Sequence, residues 1–141
     1  VVKLQDETEH ARTLCAAAGV TFRWEASCSA VGALTTLQET LLAMSLRESI
    51  TNVVRHGQAG LCTVSLRQTP ECAVLTVQDD GVGMQPDTLA KKSGNGVLGI
   101  RERLSLIDGR LRIDSAPGRG TILTMTVPLV VRDAGRKGDA S

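Results

Sequence analysis

Three short stretches of this 141-residue chain combine residue types and spacings that could do chemistry. In the first, Glu48 and Asn52 stand one helical turn apart, followed by Arg55 and His56. At roughly 100° per residue, a helix here would put these four on one side and Leu42, Leu46, Ile50, Val53 and Val54 on the other. Solvated helix faces also carry charge, so the stripe is informative only through its compact Glu-x-x-x-Asn spacing and its lack of Lys. The second stretch is Asp79-Asp80-Gly81-Val82-Gly83. Its alternate glycines permit a positive φ and the close approach of a flat ligand. A buried carboxylate there can accept a hydrogen bond from the exocyclic amine of adenine, whereas guanine presents a carbonyl at that edge and leaves the Asp unmatched. A hairpin turn capped by Asp79 also explains these residues. The third stretch, Gly94-Asn95-Gly96-Val97-Leu98-Gly99, is a G-x-G-x-x-G at the mouth of a helix. Helix N-termini offer unpaired N–H groups and suit phosphate. A dinucleotide fingerprint would close the first strand of a β-α-β unit, with an acid about 20 residues on. Here the motif follows a Gly-rich loop late in the chain, so that reading fails on context.

Periodicity and punctuation predict the elements that position these stretches. Val2 to Ala18 reads as a helix closed by Gly19, Val20–Glu25 as a short strand, and Ala26 to Ala33 as a loop. Thr36 to His56 is the longest helical pattern, ended by Gly57. Leu61–Arg67 and Cys72–Asp79 alternate as strands about a turn at Pro70–Glu71. Gly81 to Gly96 predicts a loop, Val97–Asp108 a helix before Gly109, and Arg110–Ser115 and Thr121–Pro128 two strands joined through Pro117, Gly118 and Gly120. Paired strands beside helices, without strict β-α-β alternation, predict an α+β layer with a mostly antiparallel sheet. Ala73, Leu75 and Val77 share a face whose parity Asp79 continues, and Leu123, Met125 and Val127 share one that Thr121 begins. Both polar residues therefore fall on the core side, which is costly unless a partner satisfies them. Asp80 has the opposite parity and is expected to tolerate change. Residues 1–131 are read as one domain and 132–141 as a loose polar tail.

Composition narrows the functional classes. Hydrophobic residues make up 42% and charged residues 22% of the chain, which is globular. Phe22 and Trp24 are the only aromatics, so the core must be aliphatic, and the scarcity argues against single-stranded nucleic-acid binding by base stacking. A formal charge of +1 leaves no footprint for nucleic acid or an anionic membrane. Cys15, Cys28, Cys62 and Cys72 form no C-x-x-C pair and lack a His at zinc spacing, which predicts reduced, partly buried thiols in a cytosolic domain. No apolar run is long enough to span a bilayer, so no direct membrane contact is expected.

Taken in order, Glu-x-x-x-Asn, Asp-x-Gly-x-Gly and Gly-x-Gly-x-x-Gly, with Thr121 after Gly120, resemble the nucleotide-binding boxes of the GHKL superfamily. That superfamily includes DNA gyrase B, Hsp90, MutL and histidine kinases. Leu46-Arg47-Glu48-Ser49-Ile50-Thr51-Asn52-Val53-Val54-Arg55-His56 is similar to the N box of sensor histidine kinases that pair with NarL-type regulators. Gly96-Val97-Leu98-Gly99-Ile100-Arg101-Glu102-Arg103 resembles the Arg-Glu-Arg that follows their glycine box. The likeness is greatest to the DesK-like type and runs from about Lys3 to Pro128.

The resemblance implies a two-layer α/β sandwich of the Bergerat type, with helices on one face of a mixed sheet, binding ATP and Mg²⁺. Asn52 would hold the Mg²⁺ that bridges the phosphates, and Glu48, the catalytic candidate, would stand near the γ-phosphate. Arg55 and His56 would meet phosphate oxygens, and Asp79 the adenine amine. Gly81 and Gly83 would shape the base pocket. Gly94, Gly96, Leu98 and Gly99 would form the phosphate-side hinge of a lid, and Thr121 would support Asp79. The lid, about Met84 to Asn95, is short and lacks a Phe-rich box. Lys91 and Lys92 are candidates for phosphate contact there, although solvated loop charges explain them too. Kinases of this kind carry a phosphoacceptor His followed by an acid. His10 precedes Ala11 and Arg12, and His56 lies in the N box, so the acceptor is expected on a separate dimerisation domain of the same kinase. A NarL-type response regulator is then the indirect partner, and the location is cytoplasmic, as an independent protein or as the cytosolic part of a membrane-bound sensor. The competing readings are a serine-protein kinase of the anti-sigma-factor type, disfavoured by the Arg-Glu-Arg, and a non-catalytic nucleotide-binding interaction module.

Overall fold

A computed structural model describes residues 3–28, 34–83 and 96–129. Helix α1 is Leu4–Ala17, strand β1 Thr21–Cys28, helix α2 Thr36–Asn52, β2 Leu61–Gln68, β3 Cys72–Asp79, α3 Gly96–Ser105, β4 Arg110–Ser115 and β5 Thr121–Pro128. The sheet has five strands in the order β1-β2-β3-β5-β4. Only the β1–β2 pair is parallel, with α2 as the crossover between them, and the other pairs are antiparallel. This is the mixed, mostly antiparallel α+β layer expected from the sequence.

The helices cover one face. Leu42, Leu46 and Ile50 of α2 and Ile100 and Leu104 of α3 are fully buried against Val64, Leu75, Val77, Met125 and Val127 of the sheet. The core is aliphatic, as the composition requires, and Phe22 and Trp24 pack only at its edge. The opposite sheet face carries a cross-strand row of Ser65, Thr76 and Thr124, small hydroxyl residues that suit a half-wet strand surface.

Local chemistry sets each helix end. Thr35 and Gln38 form a reciprocal capping box at the start of α2, and the Gln38 amide donates to the Pro128 carbonyl at 2.7 Å, anchoring α2 to the end of β5. Helix α1 closes at Gly19, whose φ of +77° is the left-handed stop the sequence predicts. An ion pair joins Glu7, buried in α1, to Arg47 of α2, and the Arg12 guanidinium lies 5.2 Å from the Phe22 ring centroid.

Three expectations about element ends need correction. Residues Ala26–Cys28 extend β1 rather than opening a loop, because they pair with Leu66–Gln68 of β2. The long helix is α-helical only to Asn52, after which Val53–Gly57 widens into a π-helical turn that stops at Gln58 in the left-handed conformation. Helix α3 ends at Ser105. The next three residues form tighter turns in which the Leu106 and Ile107 N–H groups donate to the Arg103 and Leu104 carbonyls, and Asp108 turns left-handed (φ 57°). The expected lid, Met84 to Asn95 with Gly94, Lys91 and Lys92, and the tail at 132–141 lie outside the described residues.

Candidate functional site at one end of the sheet

Topology brings together the first two stretches and the described part of the third, Gly96–Gly99. Strand β3 runs toward Asp79, which pairs with Cys62 near the start of β2 and with Thr121 at the start of β5. The π-helical end of α2 leads through Gln58–Gly60 into β2, so Asn52 and Arg55 return to this same end. Helix α3 must finish at the far end, because β4 begins there with Arg110 opposite Thr126. Its ten residues span about 15 Å, which brings its Gly96 N-terminus back to the Asp79 end. Helices α2 and α3 pack on one another along the way.

One cross-strand row builds the floor: Phe22, Cys62, Asp79, Thr121 and Ser115 stand opposite one another across the five strands. Asp79 is half-buried, and its Oδ1 accepts the Gly81 N–H at 2.8 Å. Its Oδ2 has no hydrogen-bond partner among the described residues, although it sits on the core side. Burial pushes this carboxyl above its usual range, the Gly81 N–H opposes the shift, and the Asp80 charge adds to it. Asp79 thus caps its turn and retains a free acceptor, so the two readings of this residue are compatible. Cys62 is fully buried beside it. A hydrogen bond with Cys15, then burial, then the charges of Cys15, Asp79 and Asp80 push the Cys62 thiol up, so it stays neutral.

Asp80 does not match its expectation. Although exposed, its Oδ1 accepts the Gly60 and Leu61 N–H groups at 2.9 and 3.0 Å, holding the start of β2 against the end of β3. Those backbone N–H groups draw its carboxyl below the usual range. It is a fastening residue, and the parity argument missed it because parity describes side-chain direction and not backbone partners within reach.

Thr121 is buried opposite Asp79, yet its hydroxyl lies 2.9 Å from the Ser115 hydroxyl and makes no bond to Asp79. Ser115 in turn donates to the Gly120 carbonyl at 3.0 Å, which leaves Thr121 as donor to Ser115. Thr121 therefore meets Asp79 only as its partner in strand register, and its hydroxyl is used within the β4–β5 hairpin. Ser115 escaped sequence reasoning because its relevance depends on the β4–β5 register. The glycines work on the backbone. At Gly83 (φ +77°) a Cβ would lie 2.0 Å from the Ala116 carbonyl oxygen, and at Gly120 (φ +77°) a Cβ would lie 2.2 Å from the Asp79 carbonyl oxygen. These two positions let the Asp79–Gly83 turn rest on the β4–β5 hairpin, and Gly81 is buried beneath it.

On α2, Glu48 and Asn52 are half-buried, one turn apart, and Arg55 is exposed. Among the described residues the Glu48 and Asn52 side chains have no hydrogen-bond or ion-pair partner. The backbone of Arg55 and His56 lies in the π-helical turn, which carries fewer degrees per residue than an α-helix and so rotates Arg55 off the simple stripe. In α3, Val97 is buried and Leu98 and Gly99 are half-buried in the first turn after Gly96. No group of three or more His, Cys, Asp or Glu among the described residues could hold a metal alone. A hard cation here would need oxygens from Asn52 together with those of a ligand. A cavity of about 680 Å³ bounded by Leu4, Trp24, Leu34 and Leu66 contains none of these residues. No described helix is long and apolar enough to cross a membrane.

Residues 38–131 match the family model described as histidine kinase-, DNA gyrase B- and HSP90-like ATPase. The sensor histidine kinase DesK of Bacillus subtilis (strain 168) is 38% identical over 127 residues, covering 90% of this chain and 33% of that protein. Sensor histidine kinase YvfT of the same strain is 28% identical, covering 92% of this chain and 33% of that protein. The oxygen sensor histidine kinase NreB of Staphylococcus carnosus (strain TM300) is 34% identical, covering 64% of this chain and 26% of that protein. The chain thus spans a third or less of these relatives. Among solved structures, the histidine kinase domain of the Erythrobacter litoralis EL346 blue-light activated kinase superposes with a TM-score of 0.65 at 18% identity, over 92% of this chain and 62% of that chain. At that identity the match bears on the fold.

Proposed function

This chain belongs to the family of histidine kinase-, DNA gyrase B- and HSP90-like ATPases and is an ATP-binding domain of the sensor histidine kinase kind, and we propose that it binds ATP with Mg²⁺ at the Asp79 end of its sheet. The transfer proposed for the parent protein moves the γ-phosphate of ATP to a histidine on a separate dimerisation domain, and a NarL-type regulator then takes it from there. The observation that carries the reading is the convergence of the Asp79 turn, the Asn52 end of α2 and the Gly96 end of α3 at one end of the sheet.

The unpartnered groups suit such a ligand. The free Oδ2 of Asp79 would accept from the adenine amine, with Gly81 and Gly83 forming the wall beside the base. The Asn52 carboxamide would contribute an oxygen to the ion, and Glu48, one turn earlier, would stand toward the γ-phosphate. Arg55 and His56 would contact phosphate oxygens. The first turn of α3, at Gly96, Leu98 and Gly99, would approach phosphate oxygens, with Gly94 as the outer part of that hinge. Bound Mg²⁺ would neutralise phosphate charge during transfer, a reaction in which positioning and electrostatics supply most of the catalysis. Residues 1–131 form the functional unit in this reading.

Calorimetric titration with ATP and Mg²⁺ tests the proposal. ATP should bind and GTP should not, and Asp79→Asn should weaken ATP binding by about 1–3 kcal/mol, the cost of an unmatched buried polar group. Equal binding of ATP and GTP, or unchanged affinity in the variant, would assign Asp79 to turn capping alone.

A further inference from the structure

Two thiols lie buried at the Asp79 end of the sheet, and nucleotide binding gives neither a task. Cys15 sits in the last turn of α1 and Cys62 at the start of β2. Both are fully buried, and their side chains hydrogen-bond to one another. The backbone accounts for the meeting. The Cys15 carbonyl accepts the Val20 N–H at 2.8 Å, which sets the last turn of α1 at the start of β1, and Phe22 of β1 is the register partner of Cys62. Cys62 has the parity of Val64, so it points to the same covered face. A buried cysteine by itself usually acts as a small apolar side chain and stays inert. Two in contact, on elements far apart in sequence, are a pair that a covalent bond could join.

The two thiols are not equivalent. Ala16, Ala17, Ala18 and Gly19, directly after Cys15, are all exposed, and a helix end of this kind opens locally at small cost. Opening there admits a small oxidant to Cys15 first. The hydrogen bond from Cys62 draws the Cys15 thiol below its usual range, against the effect of burial, and Cys62 is pushed up. Cys15 is therefore the thiol that ionises and attacks. We propose that Cys15 and Cys62 form a redox pair that a peroxide closes into a disulfide, tying α1 to β2 beside Asp79 and weakening nucleotide binding. The Cys15 sulfur attacks one peroxide oxygen and the O–O bond breaks. Cys15 becomes a sulfenic acid, and its thiol proton leaves with the other oxygen as water. The Cys62 sulfur then attacks the Cys15 sulfur, the S–O bond breaks, and the oxygen takes the Cys62 proton and leaves as a second water. Two thiols and one peroxide thus give one disulfide and two waters, and exchange with a small dithiol reverses the change. The bond draws the sulfurs to about 2 Å, closer than hydrogen-bonded thiols stand, so α1 and the start of β2 move together. Asp79 is the register partner of Cys62 on β3 and shifts with it. The effect on ATP rests on the nucleotide reading above, whereas the pairing itself does not.

The test uses the 141-residue chain carrying Cys28→Ser and Cys72→Ser, which leaves only the pair. After hydrogen peroxide, the intact mass should fall by two hydrogens with no dimer on a non-reducing gel. Proteolysis should then release the Cys15 peptide joined to the Cys62 peptide, and dithiothreitol should restore both thiols. ATP affinity, by calorimetry with Mg²⁺, should fall about three-fold or more on oxidation and recover on reduction. Cys15→Ala in the same background should keep its ATP affinity through the peroxide treatment. Two thiols still free after peroxide, or oxidation that stops at a sulfinic acid on one of them, overturns the pair. A cross-linked chain with unchanged ATP affinity overturns its control of the site and leaves the nucleotide reading intact. Failure of the reduced chain to bind ATP overturns that reading and the effect on binding with it, and leaves the cross-link to the mass result. If the substituted chain does not fold, peptide mapping of the unsubstituted chain decides. A Cys15–Cys62 link there supports the pair, and its absence from the oxidised chain refutes it.

Discussion

Asp79 divides its work between two oxygens. Oδ1 closes the turn on Gly81, and Oδ2 is unpaired among the described residues, in a half-buried place where a charge is poorly solvated. The raised carboxyl has a consequence for stability. A folded-state pKa above the unfolded value means that folding is favoured while the group is protonated and loses that benefit as pH rises through the folded value. Asp79→Asn keeps the Gly81 bond and removes the charge, so the ligand-free variant should melt higher than wild type at neutral pH. Below about pH 4, where the unfolded-state Asp also protonates, the difference should vanish. Thermal melts across that range, run beside the ATP titrations, would show a residue that costs stability and supplies binding. Asp80 has the opposite sign. Its lowered carboxyl contributes stability that is present at neutral pH and lost as pH falls through the folded value. Asp80→Ala should therefore lower the melting temperature at neutral pH, the difference shrinking in acid, while ATP affinity per folded molecule stays at the wild-type value. The pattern of charges was legible in the sequence, but the division of labour between adjacent aspartates was not, because it depends on where the Gly60 and Leu61 N–H groups lie.

At the scale of elements, the turn after β3 is held against the β4–β5 hairpin by backbone contacts that admit no side chain. Gly120→Ala would place a methyl group 2.2 Å from the Asp79 carbonyl oxygen in a left-handed conformation. The expected cost is roughly 2–4 kcal/mol in urea unfolding, from backbone strain plus crowding. ATP affinity should fall with it, since the displaced residue is Asp79 itself. A loss below about 0.5 kcal/mol, the range of an ordinary surface change, would show that the hairpin yields easily. Strands β3, β4 and β5 follow the sequence boundaries because alternation and turn residues act locally. The π-helical end of α2 was not legible, since nothing in Val53–Gly57 announces a wider turn. It arises where the helix must leave the core and deliver the chain to β2.

For the whole molecule, ligand linkage offers a measurement that needs no assigned residue. ATP with Mg²⁺ at a hundred times its dissociation constant should stabilise the chain by about 2.7 kcal/mol, with no comparable effect from GTP. Incubated alone with radiolabelled ATP, the chain should acquire no phosphohistidine, whereas a purified dimerisation domain from the same kinase should be labelled when added. Label on His10 or His56 of the isolated chain would contradict the proposed separation of donor and acceptor.

The three stretches Glu48–Asn52, Asp79–Gly83 and Gly94–Gly99 were legible from residue types, spacing and order alone. So were the aliphatic core and the core-side parity of Asp79 and Thr121, because short-range periodicity and composition control them. The tertiary structure decided which groups are already spent and which remain free. It bonded Thr121 to Ser115, tied Asp80 to the start of β2, set Cys62 beside Asp79 and left Oδ2 of Asp79 without a partner among the described residues. Those outcomes depend on strand register and helix placement between residues far apart in the chain, and hydrogen-bond partnership is a property of that geometry.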